Sequence, residues 1–417
     1  MIMQRLMNAV STKAPSVPAQ AQPAPWYPGI IGGARTLSRQ NVSAETAKKV
    51  ATVYRCINVI SDDIATMPLQ VYNHFGARIE RIYPDSVVRN TAYLLERSPN
   101  RWMSPFVWKK TIVNWLLMWG NAYIWQPPGP YRELFILPAS QTYPALDKKG
   151  NKWYVARFPN QTEANIPDVE MVHLMINSSD GMSGQSVLSY ARETIGRQLS
   201  AHETQDRISS GLTPTALLYV NGELSKDARE TVRKTYLAAV TGSENAGGVA
   251  VLDNKINKFE AITMKPLEAQ FLEGISATDA DIANFFGFPL HKLNMGKQSY
   301  ESNEQQELNY LKSLNPYLVQ WEQTGNTKWI PEVDQPYVYL KFNRDSLLQT
   351  DAKTRAEYLE KKVFSGTMTP NEARGIEDQN PYAGGDEHYI PSNMARILDD
   401  GGLQVGSSPA VETGGKI

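Results

Sequence analysis

The chain has 417 residues, of which 20% are charged and 41% hydrophobic, and its formal net charge is −1. That length and mix suit a folded chain of about two to three domains, and the near-zero charge excludes a protein that attracts nucleic acid over its whole surface. The one cysteine, Cys56, excludes an internal disulfide and fits a reducing compartment.

Residues 1–42 are rich in Pro, Ala, Gln and Ser and predict a flexible arm, with at most a short helix over Gln4–Val10. Ala19-Gln20-Ala21 imitates a signal-cleavage site, but no apolar core precedes it. From Ala44 to Ala65 the spacing places Val50, Val53, Tyr54, Ile57, Ile60 and Ile64 on one helical face, with Cys56 as a small buried residue. Pro68 follows, and Leu69, Val71 and Tyr72 alternate as a strand. Thr91–Glu96 reads as a short helix, Ser98-Pro99-Asn100 as a turn, and Ser104-Pro105 as the start of an apolar helix over Phe106–Leu117. The run Ile112–Trp125 is broken by Asn114, Gly120 and Asn121 and falls short of the ~20 apolar residues of a membrane span, so it predicts a core helix. Trp102, Trp108, Trp115, Trp119 and Trp125 predict a packing face rather than a base-stacking platform, because no basic groove accompanies them.

Strands are predicted over Ala122–Gln126, Glu133–Leu137, Lys152–Arg157 and Val169–Met175, which makes this part α+β. His173 reads as a core histidine, since no second His or Cys is spaced to share a metal. After a loop at Ser178–Gln185, a helix runs to about Ser210 with an apolar stripe of Val187, Leu188, Ala191, Ile195 and Leu199, expected to pack between neighbouring subunits. Glu193–Arg197 and Glu203–Arg207 are i,i+4 pairs on it. Residues 212–263 predict a small α/β insert: strand Ala216–Val220, a helix capped by Ser225 to about Ala239, and strands Val249–Asp253 and Lys258–Ile262.

The stretch Lys265–Gln320 organises the rest. A helical run, Leu267–Phe286, carries Glu268, Glu273, Asp279 and Asp281 and no basic residue. Gly287-Phe288-Pro289 ends it, because proline lacks the N–H a helix needs. A polar segment with His291, Lys292, Asn294, Lys297, Gln298, Ser299 and Tyr300 follows, and a second helix starts near Ser302. Beyond it come an irregular segment over Gly325–Pro336, a strand over Tyr337–Asn343, a helix over Thr350–Phe364, and another opening at Thr369-Pro370. From about 398 the chain is Gly- and Ser-rich, and disorder is expected.

Catalytic spacing is missing. There is no G-x-x-x-x-G-K-[ST], no H-E-x-x-H, no cysteine pair and no G-x-S-x-G. His291 has no fixed partner for acid–base work, and Asp279 and Asp281 lack a third ligand and read as a solvated helix face. No cofactor or metal is expected.

Three stretches, in order, carry a resemblance. Val53–Ser61 through Pro68–Tyr72, then Trp119-Gly120-Asn121-Ala122-Tyr123, then Phe271–Pro289 with Tyr300-Glu301-Ser302-Asn303-Glu304-Gln305-Gln306, resemble the tailed-phage portal proteins of the HK97 type. The resemblance implies an α+β portal fold with these parts: arm 1–42, wing 43–182, stem helix 183–211, clip 212–263, second stem helix 264–287, tunnel loop 288–301, long helix and wing return 302–345, mostly helical crown 346–397, and disordered tail 398–417. It implies a ring of twelve subunits at one capsid vertex, assembled in the host cytoplasm, that passes double-stranded DNA without sequence specificity. The partners it implies are the terminase large subunit, the major capsid protein or scaffold, and a head-completion or adaptor protein, with no membrane and no enzymatic activity. By the same resemblance His291, Lys292, Asn294, Lys297, Gln298, Ser299 and Tyr300 belong to the tunnel loop, where the lysines grip DNA loosely. Glu268, Glu273, Asp279 and Asp281 line the channel and repel phosphates. From the residues alone, a metal-dependent nuclease or other DNA-processing enzyme and a non-enzymatic binding module stay open beside this reading.

Overall fold

The computed structural model describes residues 22–23, 34–38, 40–75, 78–82, 91–128, 132–158, 163–209, 216–220, 225–231, 234, 256–261, 278–293, 303–344, 346, 352–377, 379–388, 395–397 and 403–405. Helices and small antiparallel sheets alternate, so the fold class is α+β. The chain divides into two compact units, Met1–Asn343 and Arg344–Ile417.

The first unit begins with an ordered piece of the predicted flexible arm. β1 (Gln22–Pro23) lies antiparallel to β8 (Thr142–Leu146), and β2 (Ala34–Arg35) pairs with β3 (Asn41–Val42). Thr36 and Val42 are buried, so the expectation of a flexible arm up to residue 42 is corrected for 34–38 and 40–42. The cause is contact with a distant helix, α6 (Arg192–Ser209): Leu37 N–H donates to Glu193 at 3.1 Å, and Gln40 Nε2 donates to Glu203 at 2.7 Å. Gly196 makes that approach possible, since a Cβ there would stand 2.6 Å from Thr36 Cγ2.

The single helix predicted over Ala44–Ala65 is two. α1 (Ala44–Ala47) opens on a Ser43–Thr46 capping box. The backbone of Val50 is extended, and α2 (Ala51–Thr66) starts after it. Val53, Cys56, Ile57, Ile60 and Ile64 are buried, but Tyr54 is 55% exposed. The buried arc centres on the 53/57/60/64 row, and residue 54 lies about 100° around the helix from 53. α2 packs on α4 (Pro105–Trp119), which follows α3 (Thr91–Glu96). α4 has Ser104 as its N-cap, Pro105 in its first turn, and Gly120 in the left-handed region at φ 76 as its C-cap. Lys109 on α4 is buried and donates from Nζ to the Met67 carbonyl at the end of α2, at 2.5 Å. Burial lowers the Lys109 pKa to about 8, opposed by the charge of Glu96.

Three sheets carry this unit. β4 (Leu69–Phe75) sits between β14 (Val338–Phe342) and β5 (Arg78–Ile82). β6 (Asn121–Trp125) sits between β11 (Met171–Met175) and β7 (Phe135–Leu137). β8 continues into β9 (Lys152–Arg157) and β10 (Glu163–Pro167). Sequence patterning misses β8 and β10, which contain Pro144 and Pro167; a proline is tolerated at a strand end or a poorly paired edge.

α9 (Asn303–Trp329) covers β11 and β14. Its Asn326 and Glu322 accept the Leu340 and Phe342 N–H groups at 2.6 and 2.7 Å, which closes the outer edge of β14. Gly325 lies inside this helix rather than opening an irregular segment: a Cβ would sit 2.8 Å from Leu340 Cδ1, so the glycine serves the close approach of helix to strand. Trp108 meets Trp321 at 5.9 Å and Trp329 at 6.1 Å between centroids, and Trp125 is buried too, as packing tryptophans are expected to be. Trp115 and Trp119 are partly buried, whereas Trp102 is 42% exposed and leans on Phe135. Of the predicted stripe, Val187 and Leu188 on α5 (Val187–Tyr190), Ala191 after it and Ile195 on α6 are buried within this one chain and so are not left for a neighbour, whereas Leu199 is half-buried.

In the predicted insert, β12 (Ala216–Val220) pairs with β13 (Ile256–Ala261), and Ser225 Oγ accepts the Ala228 N–H at 3.3 Å ahead of α7 (226–231). The predicted segments Gln4–Val10 and Val249–Asp253 lie outside the described residues. The second unit holds α10 (Ala352–Phe364), α11 (Pro370–Ile376) with its Thr369–Glu372 capping box, and the pair β15 (Ala395–Ile397) and β16 (Leu403–Val405). β16 lies past residue 398, so the disorder expected from there is corrected for 403–405. Among the described residues no helix is long and apolar enough to cross a membrane.

Candidate functional site

The organising stretch is described from residue 278 to 293 and from 303 onward. α8 (278–285) buries Ile282 and Ala283. Gly287 at φ 60 turns the chain out of the helix, with Phe288 N–H donating back to the Ala283 carbonyl at 2.9 Å. Phe286 and Phe288 are buried on either side of this turn. A 3₁₀ turn, Leu290–Leu293, follows.

Asp279 is a correction. It was expected on a solvated, channel-facing surface, but it is only 9% exposed. Its carboxylate accepts hydrogen bonds from Thr52 Oγ1 and from Gln198 Nε2, the latter at 2.7 Å. One side chain thereby ties α8 to α2 and α6, and two protein donors replace the water that an acidic residue otherwise keeps. Asp281, two residues on, is exposed. Glu268 and Glu273 lie outside the described residues.

Lys292 is the second correction. As a tunnel-loop lysine it was expected to offer its charge to DNA, but its side chain is only 20% exposed. Its ammonium stands 3.5 Å from Asp63 Oδ2 and 4.2 Å from the centre of the Tyr310 ring. Its carbonyl accepts from Arg55 Nε at 2.7 Å. His291 is half-buried in the same turn. Asn294, Lys297, Gln298, Ser299 and Tyr300 lie outside the described residues.

A third node holds β6 to the loop before α5. Asn121 Nδ2 donates to the Gly184 carbonyl at 2.8 Å and to the Trp119 carbonyl at 3.1 Å. Asn121 Oδ1 accepts from Gly184 N–H at 2.7 Å and lies 2.8 Å from His173 Nε2, which therefore carries the proton. Gly120 beside it has no room for a side chain, since a Cβ would be 2.4 Å from the Gln185 carbonyl carbon. His173 stacks on Tyr123 at 4.4 Å and is fully enclosed, and burial lowers its pKa well below the ordinary value. It is the core histidine expected.

These nodes are built to hold helices in place. Among the described residues no group of three His, Cys, Asp or Glu side chains could hold a metal. Thr52, Gln198, Arg55 and Gly184 are missed by sequence reasoning; only the Gly120-Asn121 pair, directly after a helix, is a local signal that a backbone contact sits there.

A family model described as "Phage portal protein" matches residues 51–378. The "Probable portal protein" of Streptomyces phage phiC31 is 27% identical over 409 residues, covering 90% of this chain and 85% of its own. The "Portal protein" of Enterobacteria phage HK97 is 25% identical over 383 residues, covering 89% of each. Among solved structures, an HK97-family phage portal protein from Corynebacterium diphtheriae aligns with a TM-score of 0.54 at 16% identity, over 74% of this chain and 98% of that one. A chain from the neck of a native gene transfer agent particle, computed with C12 symmetry, aligns at 0.53 and 17% identity, over 92% of this chain and all of that one. With its family-wide match, its portal relatives and a fold shared with a portal structure, the chain belongs to the phage portal proteins of the HK97 type, structural components of virions rather than enzymes.

Proposed function

We propose that this portal protein is one of twelve subunits of a closed ring at a single capsid vertex, through which double-stranded DNA enters during packaging and leaves on ejection. The observation that supports the reading is the helix and turn of 278–293, pinned to α2 at Asp279 and Lys292, in a chain that matches portal proteins over 51–378. The twelvefold count is supported by the similarly folded chain in the C12 neck. In this reading 43–182 is the wing, 183–211 and 264–287 the stem, 212–263 the clip, 288–301 the tunnel loop and 346–397 the crown. The ring assembles in the host cytoplasm with major capsid protein or scaffold. It seats the terminase large subunit during packaging and head-completion or adaptor proteins afterwards. Loose, sequence-independent DNA contact suits such a passage, because each neutralised phosphate tightens binding and slows sliding. No observation favours the nuclease alternative. Sedimentation of the purified chain tests the assembly: a single heavy species supports it, and monomer alone at every concentration contradicts it.

A further inference from the structure

The turn Leu290–Leu293 is fastened on several sides. Arg55 and Asp63 lie eight residues apart on α2, about 12 Å along its axis. Arg55 holds the Lys292 carbonyl at 2.7 Å, and the Lys292 ammonium reaches Asp63 at 3.5 Å. Lys292 therefore lies along two turns of α2 and is held at both ends. The neighbouring carboxylate, Asp62, is taken by Lys110 at 2.5 Å, which leaves Asp63 to Lys292.

The same ammonium stands 4.2 Å over Tyr310, in the second turn of α9, and the Phe288 ring meets Tyr310 edge-on at 5.9 Å. Tyr310 is 2% exposed. Both flanks of segment 294–302 are thus joined: Phe288 and Lys292 on one side grip Tyr310 on the other, and Lys292 ties the pair to α2.

We propose that Lys292, Tyr310 and Asp63 form a clamp that fixes the Leu290–Leu293 turn between α2 and α9. Lys292 is then a positioning residue for that turn and not a phosphate contact. The inference rests on the reading that this turn opens the loop facing the DNA passage. A cation over an aromatic face and beside a carboxylate, with little water around it, has its charge satisfied within the chain.

The test uses the full chain carrying Lys292→Met, Asp63→Asn, or both. Amide hydrogen exchange over 288–293 and 303–310 in the purified protein reads the clamp whatever the chain does with DNA. Each single variant should exchange about tenfold faster at both flanks, and the double variant no faster than Lys292→Met, which already takes the ammonium from both Asp63 and Tyr310. Unchanged exchange in Asp63→Asn overturns the clamp. The DNA-filled fraction of particles built with each variant then separates positioning from contact. Asp63→Asn keeps the lysine's charge, so the clamp predicts the same loss of filled particles as Lys292→Met. Loss in Lys292→Met alone overturns the proposal in favour of a phosphate contact. If the wild-type chain formed no ring, the proposed function would fail while the exchange comparison still decides the clamp.

Discussion

Replacing Asn121 with alanine should be among the most damaging single changes around β6. Its amide joins β6 to the loop before α5 through both backbone groups of Gly184, and it also accepts from His173. Asn121→Ala strands the Gly184 N–H, the Gly184 carbonyl and the His173 Nε2–H in a site where Asn121 itself is 5% exposed. A buried polar group left without its partner costs about 1–3 kcal/mol. With three stranded at once and partial relaxation of the loop, the loss should be about 3–5 kcal/mol. Asn121→Asp is nearly isosteric but turns the donor facing two carbonyls into an acceptor, so it should fare no better. Urea unfolding followed by tryptophan fluorescence measures this, since Trp119 and Trp125 flank the site; the midpoint should fall with the slope unchanged. A loss below about 1 kcal/mol would refute the reasoning, because it would mean that the amide is not what satisfies these buried groups.

Stability should depend on acid through His173. Its native pKa lies below the unfolded value of about 6.5, so the unfolded chain binds more protons as pH falls beneath that value. The chain should then lose about 1.4 kcal/mol per pH unit below 6.5, read as urea midpoints at pH 7 and pH 5, and His173→Gln should flatten the slope. Gly325→Ala should destabilise by about 1–3 kcal/mol, because overpacking against Leu340 outweighs the gain in helix propensity; a rise in melting temperature would count against the close approach. Asp279→Leu should cost about 2–3 kcal/mol by stranding Thr52 and Gln198, with Asp279→Asn milder in the same denaturation assay. Equal losses in the two would show that hydrogen bonding is not what Asp279 supplies.

Locally encoded elements were legible in the sequence. Ser104-Pro105 marked the start of α4, and Thr369-Pro370 with Glu372 marked the start of α11, because caps act within one turn. Contacts made at long range were not. Asp279 looked like a solvated acid because its donors lie 227 and 81 residues away in sequence. Lys292 looked like a loop cation because Asp63 and Tyr310 reach it only after α2 and α9 are packed. Gly325 looked like a helix end, since nothing nearby in sequence announces Leu340 pressed against it. The arm around Leu37 and Gln40 has loop composition and is held by α6, a case of tertiary contact overriding local preference. The order of the three resemblance-bearing stretches placed the chain in its family.

Electron micrographs of the purified protein, averaged without imposed symmetry, test the central claim most directly. The account predicts end-on views of a closed ring with an open centre and twelve equal lobes. Particles no larger than a monomer or dimer, or open arcs that never close, would contradict it.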